Sequence, residues 1–174
     1  MILQTDRLIL REFTSEDVQA VHNYASDIEV CRYTDWGPNT LDDTRAFIED
    51  VIASQSEQPR NQFTVAIAVK ESNSLIGACS IIKKEALQGE MGYVLNRDYW
   101  GHGFASEAAK AMLSFGFKEL KLHRICATCR PQNKGSFRVM EKLGMRKEGH
   151  FREHLFFKEK WHDSFLYSIL SSEY

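Results

Sequence analysis

Along residues 7–13, Leu8 and Leu10 alternate with Ile9 and Arg11, the period of two that a half-buried strand requires. Thr14-Ser15-Glu16-Asp17 then supplies turn and cap residues. Thr14 or Ser15 can cap a helix carrying Val18, Val21 and Ala25 at spacings of three and four. A second helix follows the loop Tyr33 to Asn39, with Thr40 as its cap and Ala46, Phe47, Val51 and Ile52 as its apolar stripe. Residues 55–62, with Pro59, read as a connection, after which the chain alternates or runs apolar with β-branched residues. Phe63 to Val69 and Leu75 to Ile82 are joined by the polar turn Lys70 to Ser74, an antiparallel hairpin that Glu90 to Leu95 extends into a three-strand meander.

The period changes again at Phe104, where Ala105, Ala108, Ala109, Met112, Leu113 and Phe117 mark a helix over 104–120. Its small residues suit close packing on a sheet. His123 to Arg130 predicts a strand, Pro131-Gln132-Asn133 a turn, and Ser136 to Leu143 a short helix stopped by Gly144. Two last strands, Phe151 to Lys158 and Asp163 to Leu170, flank residues 159–162. This order is α+β, a mixed α/β sheet rather than a series of βαβ units. The length of 174 residues fits one domain spanning 1–174.

Composition narrows the partners. Hydrophobic residues at 43% and charged residues at 26% describe a chain able to fold. A net charge of -2 argues against a surface devoted to nucleic acid. No apolar run approaches the ~20 residues needed to span a bilayer, and Gln4, Asp6 and Arg7 interrupt any signal-like start, so the cytoplasm is the expected compartment. Between Asp27 and Glu57 eight acidic side chains face two basic ones, a negative field that suits a cationic partner or simply a solvated surface. Cys126-x-x-Cys129 has metal or redox spacing, but a strand puts positions three apart on opposite faces and no second pair exists. No metal is expected, and Cys31 and Cys79 read as isolated thiols.

Trp100-Gly101-His102-Gly103-Phe104-Ala105-Ser106 lies where a strand hands over to a helix. Unpartnered amides and the positive end of the helix dipole favour a phosphate there, and glycine lets the chain turn sharply beside an anion. A plain glycine-rich loop is the alternative. The motif is not a Walker A sequence, lacking Gly-Lys-Ser/Thr, and several strands precede it, unlike a dinucleotide fingerprint.

The run Tyr99 to Ala108, the run Asn133-Lys134-Gly135-Ser136 through Glu141-Lys142-Leu143-Gly144-Met145, then Gly149-His150-Phe151-Arg152-Glu153 and Trp161-His162-Asp163, resemble the GNAT acetyltransferases. Within them they are similar to the branch of ribosomal-protein N-terminal alanine and serine acetyltransferases, as is the opening Thr5 to Arg11. The resemblance implies the GNAT acyl-CoA N-acyltransferase fold, a mostly antiparallel central sheet whose fourth and fifth predicted strands splay, flanked by helices. It implies acetyl-CoA, with pyrophosphate on the turn Trp100, Gly101, His102, Gly103, Phe104, Ala105 and Ser106. The family's Gln/Arg-x-x-Gly-x-Gly/Ala pattern falls on Trp100, Gly103 and Ala105, and Trp100 replaces its polar residue. Pantetheine would pair with the backbone of Tyr93, Val94 and Leu95 and with Asn133, which by chemistry alone is a turn residue. Tyr33, Asp35 and Trp36 would border the acceptor groove.

Amine acetylation by a thioester needs a proton acceptor for the ammonium, donors for the oxyanion and stabilisation of the departing thiolate. Glu90 is the general-base candidate, activated by burial near Met91 and Tyr93; a surface glutamate and a water chain are the alternatives. Many relatives place a tyrosine acid at the position of Met140, which cannot donate a proton. Ser136 resembles the serine near the cofactor sulfur, where it would donate a proton or only a hydrogen bond; it could also cap its helix. Direct attack in a ternary complex needs no protein nucleophile. Glu107 is expected to hold the helix start, and Trp161-His162-Asp163 to be structural, with His154 and Trp161 as further acceptor-side candidates. The expected reaction is acetyl transfer to a primary amine, a protein N-terminus of ribosomal-protein type. Alternatives are a polyamine or aminoglycoside acceptor, or an inactive CoA-binding regulator. The chain would act as a monomer or homodimer.

Overall fold

A computed structural model describes residues 2–174. In chain order it forms β1 (Ile2–Gln4), β2 (Leu8–Arg11), α1 (Val18–Ala25), α2 (Leu41–Ser54), β3 (Gln62–Val69), β4 (Leu75–Lys83) and β5 (Gln88–Leu95). These are followed by α3 (Phe104–Lys118), β6 (Arg124–Cys129), α4 (Lys134–Lys142), β7 (Arg146–Phe157) and β8 (Lys160–Leu170). The eight strands form one sheet in the order β1-β2-β3-β4-β5-β6-β8-β7. Every pairing is antiparallel except β5 with β6, and α3 makes the crossover that parallel neighbours require.

The sheet carries a core on each face. On one side α3 lays Ala108, Ala109, Met112 and Leu113 against Leu8, Leu10, Val65, Ile67, Ile81 and Ile125. On the other, Val21 and Tyr24 of α1 and Ile48 and Val51 of α2 pack on Phe13, Ala66 and Ala78. That two-sided burial explains why β3 and β4 read as near-continuous apolar runs rather than strict alternation. Thr40 begins α2 as predicted, accepting from the Asp43 amide while Asp43 accepts from the Thr40 amide.

β5 and β6 pair only through Gln88–Arg124, Gly89–Ile125 and Glu90–Cys126. Beyond those positions each keeps its outer neighbour, β5 staying with β4 as far as Leu95 and β6 with β8 as far as Cys129. The strands therefore splay, as the GNAT resemblance implies. Cys126 and Cys129 lie on opposite faces of β6, the first half-buried and the second buried.

Several boundaries differ from expectation; β5 begins at Gln88 and β8 at Lys160. β1 is a short, partly exposed strand on β2, too brief to register as a periodic pattern. β7 starts at Arg146 instead of Phe151, because its first residues, Arg146, Lys147 and Glu148, are exposed on an edge strand and carry no apolar alternation. The cap of α4 is Asn133, whose Oδ1 accepts from the Ser136 amide at 3.1 Å, so Ser136 sits in the first turn and is not the cap. Among the described residues no helix is long and apolar enough to cross a membrane.

Entry into α1 depends on Asp17, only 8% exposed at its side chain. Arg11 grips both its oxygens at 2.8 Å, and the Thr14 amide donates to Oδ2 at 2.8 Å. Burial pushes the carboxyl pKa up, but these donors outweigh it and hold Asp17 below the usual range. A depressed pKa contributes stability above the unfolded value of about 3.9, and that contribution is lost as pH falls through the folded value. Asp17→Asn is expected to cost about 1–3 kcal/mol at pH 7. Its stability should then fall less than that of the parent between pH 5 and pH 3 in urea unfolding.

Candidate active site

The chain leaves β5 through a short 3-10 turn, Arg97–Tyr99, fastened by Asn96 Oδ1 accepting from the Asp98 amide. Gly101 and Gly103 follow with φ of +80° and +82°, and α3 begins at Phe104. A Cβ at Gly101 would meet nothing within 4 Å, so glycine is needed here for its left-handed backbone and not for space. Gly103 is the N-cap and offers no side-chain acceptor, leaving the first amides of α3 free to bind an anion.

Arg7 and Glu107 brace this turn from the N-terminal segment. The Glu107 carboxylate accepts from Thr5 Oγ1 at 2.5 Å, the Arg7 amide at 2.9 Å and Arg7 Nε at 2.7 Å. Burial opposes ionisation of Glu107, but those donors prevail and hold its pKa below the usual range. Arg7 Nη1 also donates to the His102 carbonyl at 3.0 Å, and its guanidinium lies 4.4 Å from the Phe104 ring centre. Glu107 thus holds the helix start.

A groove of about 590 Å³ runs from this turn past the splayed end of β5 to α4. Tyr93, Val94 and Leu95 line it, as do Trp100, Gly101, Gly103 to Ser106, Asn133 and Ser136. His102 does not; its exposed ring lies beside Phe104. The Trp100 indole donates to the Leu95 carbonyl at 2.9 Å, which ties the side chain standing in the family's polar position to the end of β5. Past Glu90, the β6-facing backbone of β5 has no strand partner and can accept an extended ligand as an added strand.

A second cleft of about 960 Å³ opens on the α1–α2 side of the same strands. Tyr33, Asp35 and Trp36 line it, together with Glu90, Met140 and Arg130. The two cavities share Tyr33, Thr34, Tyr93, Val94, Asn133 and Ser136. Lys158, at the β7–β8 turn, fastens the loop ahead of α2 by donating to the Cys31 carbonyl at 2.5 Å and the Trp36 carbonyl at 3.4 Å.

Glu90 is not buried in the way its sequence neighbours suggest. Its side chain is 43% exposed and pairs with Lys84 at 3.3 Å. Strand alternation is the reason: Met91 and Tyr93 point to the α3 core, whereas Glu90 and Val94 face the other side. Sequence reasoning also placed Tyr93 by its backbone alone and missed its hydroxyl. Tyr93 Oη donates to the Ser136 carbonyl at 2.8 Å and lies 3.1 Å from Ser136 Oγ. Burial pushes the Tyr93 pKa well up, so the phenol stays protonated. Its place on the α4 side was readable from the period of two. Met140 is 1% exposed and packs in the core.

His154 and Trp161 do not line the acceptor-side cleft; Leu155 and Phe157 do. His154 Nδ1 is 2.7 Å from Ser164 Oγ, and Trp161 packs on Phe156. His162 stacks on Phe157 at 3.7 Å and Asp163 accepts from the Glu153 amide; Trp161-His162-Asp163 is thus the start of β8 and not a turn between strands, because β7 and β8 pair right up to Phe157–Lys160.

Residues 7–146 match the acetyltransferase (GNAT) domain. The chain belongs to the GNAT acetyltransferase family. It is 39% identical to the uncharacterized N-acetyltransferase YnaD of Bacillus subtilis, covering 100% of this chain and 99% of that one. The solved structure of a GNAT-family acetyltransferase from Bacillus anthracis is 40% identical, covers 99% of this chain and 100% of its own, and superposes with a TM-score of 0.89. The fold is also that of RimL, a ribosomal L7/L12 alpha-N-protein acetyltransferase solved with coenzyme A, at TM-score 0.87 and 20% identity over 98% of each chain. The protein is therefore an acetyl-CoA-dependent N-acetyltransferase. Its turn, with uncapped helix amides and an open strand edge in one groove, fits the diphosphate and pantetheine of that cosubstrate.

Gly103→Ala would force a side chain into the left-handed region and disturb the amides. It is expected to weaken CoA binding about tenfold, ~1.4 kcal/mol, in isothermal titration, with an unchanged far-UV spectrum.

Proposed function

We propose that this acetyltransferase acts on the α-amino group of a protein N-terminus, by direct transfer in a ternary complex, with residues 1–174 working as one domain. The observation that carries the reading is the meeting of two clefts at Tyr93 and Ser136, one suited to CoA and the other lined by Asp35, Asp43, Asp50 and Glu90. Carboxylates on the acceptor side draw in an ammonium group. A cleft of about 960 Å³ has room for several residues of a peptide end. The same acids would also welcome a polyamine or an aminoglycoside, which is the second reading.

Bound acetyl-CoA supplies an activated thioester. Asp35 and its neighbours hold the incoming amine, and Glu90, at the solvent side of the cleft, takes its proton directly or through water. Ser136 Oγ, with the protonated Tyr93 hydroxyl 3.1 Å away, presents a donor where the thiolate departs. Tyr93, whose single proton goes to the Ser136 carbonyl, orients that serine, so the donor that Met140 cannot provide is Ser136 itself.

Incubation with acetyl-CoA and a mixed library of N-terminal peptides, polyamines and aminoglycosides, followed by mass spectrometry, tests the acceptor. Products confined to small polyamines or aminoglycosides would overturn the N-terminal assignment. Tyr93→Phe and Ser136→Ala should each lower kcat by about tenfold or more while leaving CoA affinity within tenfold. Glu90→Gln should lose about tenfold in rate near pH 6.5 and much less near pH 9, where the amine is already neutral. Equal losses at both pH values would count against a base.

A further inference from the structure

Arg130 follows β6 directly and is only 5% exposed, although arginine is rarely buried to that extent without a partner. It lines the acceptor-side cleft, and its Nη1 is buried with no hydrogen-bond partner. The Phe157 ring centre is 6.0 Å from the guanidinium carbon, and Asp35 acts on it through space without a hydrogen bond. Arg60 makes the contrast clear. One of its nitrogens is also unpartnered, but it pairs with Glu12 at 2.6 Å and donates to the Gln62 carbonyl at 3.0 Å. Arg60 belongs to the scaffold, whereas Arg130 points its charge at a cavity without any such anchor.

A buried cation left without an acceptor is costly, and a carboxylate is the group whose planar oxygens match a guanidinium edge. Among the described residues Arg130 is the cation of a cleft otherwise lined by Asp35, Asp43, Asp50 and Glu90. A purely cationic acceptor would satisfy the acids and be repelled by Arg130. An acceptor carrying both charges satisfies both ends.

We propose that the acceptor bears a carboxylate beside the amine it presents, and that Arg130 binds that carboxylate and sets acceptor specificity. The proposal rests on the reading that this cleft takes the acceptor. The carboxylate has two possible sources: an acidic side chain near a peptide N-terminus, or the terminal carboxylate of a small amino-acid-like compound. A site built to pair such a group discriminates strongly against the uncharged analogue, because the buried partner is then left unpaired.

The test measures kcat/KM for matched acceptors with acetyl-CoA at saturation. One series is N-terminal peptides with Glu or Gln at the second or third position; the other is dipeptides with free or amidated C-termini. The carboxylate member of at least one pair should be favoured by about tenfold or more. Arg130→Gln should shrink that preference to within about twofold, by slowing the carboxylate member, with an unchanged KM for acetyl-CoA. Should Arg130→Gln fail to fold, as judged by its thermal melt, Arg130→Lys replaces it and should weaken the preference while keeping its sign. No preference in the parent enzyme, or one that survives the substitution, overturns the proposal. Peptides acetylated without regard to charge would sink the carboxylate and spare the N-terminal reading. A preference confined to dipeptides, with peptides untouched, would do the reverse. Acetylation of neither series overturns both.

Discussion

The parting of β5 from β6 after Glu90 and Cys126 is the constraint on which the site depends. Both strands remain in the sheet because each keeps its outer partner, so the gap costs only the hydrogen bonds between them. What it opens is a backbone edge inside a protein otherwise closed at that level, reachable from both faces. The groove proposed for the cofactor lies on the α3–α4 face and the cleft proposed for the acceptor on the α1–α2 face. The proposed ternary complex needs such an arrangement, in which two reactants meet at one point. The contact seen across the gap is made by a side chain, with Tyr93 of β5 reaching Ser136 of α4.

The turn after β5 is made rigid from a distance. Thr5 and Arg7, which lie before β2, converge on Glu107, and Arg7 also binds the His102 carbonyl. The N-terminal segment thus acts as a strut under the anion-binding loop. The opening Thr5 to Arg11 and the Trp100–Ser106 motif, both part of the resemblance to GNAT enzymes, are thus joined directly and through Glu107. Arg7 is 48% exposed, so its ion pair alone contributes little to stability; the value of the arrangement lies in orientation.

Much of this was legible before any coordinates. Hairpin β3–β4, helix α3 and the glycine turn each announce themselves by period or by glycine spacing, since local backbone rules govern them. The apolar runs of β3 and β4 showed too, but that they face a core on both sides is visible only in the structure. Less legible were features set by exposure or by partners distant in sequence. The polar start of β7 pairs along an edge and so carries no burial signal. Glu90 seemed to lie among apolar neighbours because Met91 and Tyr93 are close in sequence, but alternation sends them to the other face. Arg130 gave no sign at all: it reads as an ordinary end of strand, and its isolation becomes visible only when α1, β6 and the β7–β8 hairpin enclose one space.

Met140 decides what α4 can offer where the two clefts meet. A methionine there is packed to 1% exposure, so α4 lends the site a hydrophobic floor instead of a phenol. The phenol found here comes from the opposite side of the gap, on β5, and is held by α4 through the Ser136 carbonyl and hydroxyl. That geometry makes the phenol and the serine interdependent. Removing Ser136 Oγ leaves Tyr93 still tied to the backbone carbonyl, whereas removing Tyr93 Oη leaves the serine hydroxyl without its neighbour. The tyrosine's burial keeps it protonated, so the proposed reaction would find this hydroxyl pair intact over the range in which an amine acceptor titrates.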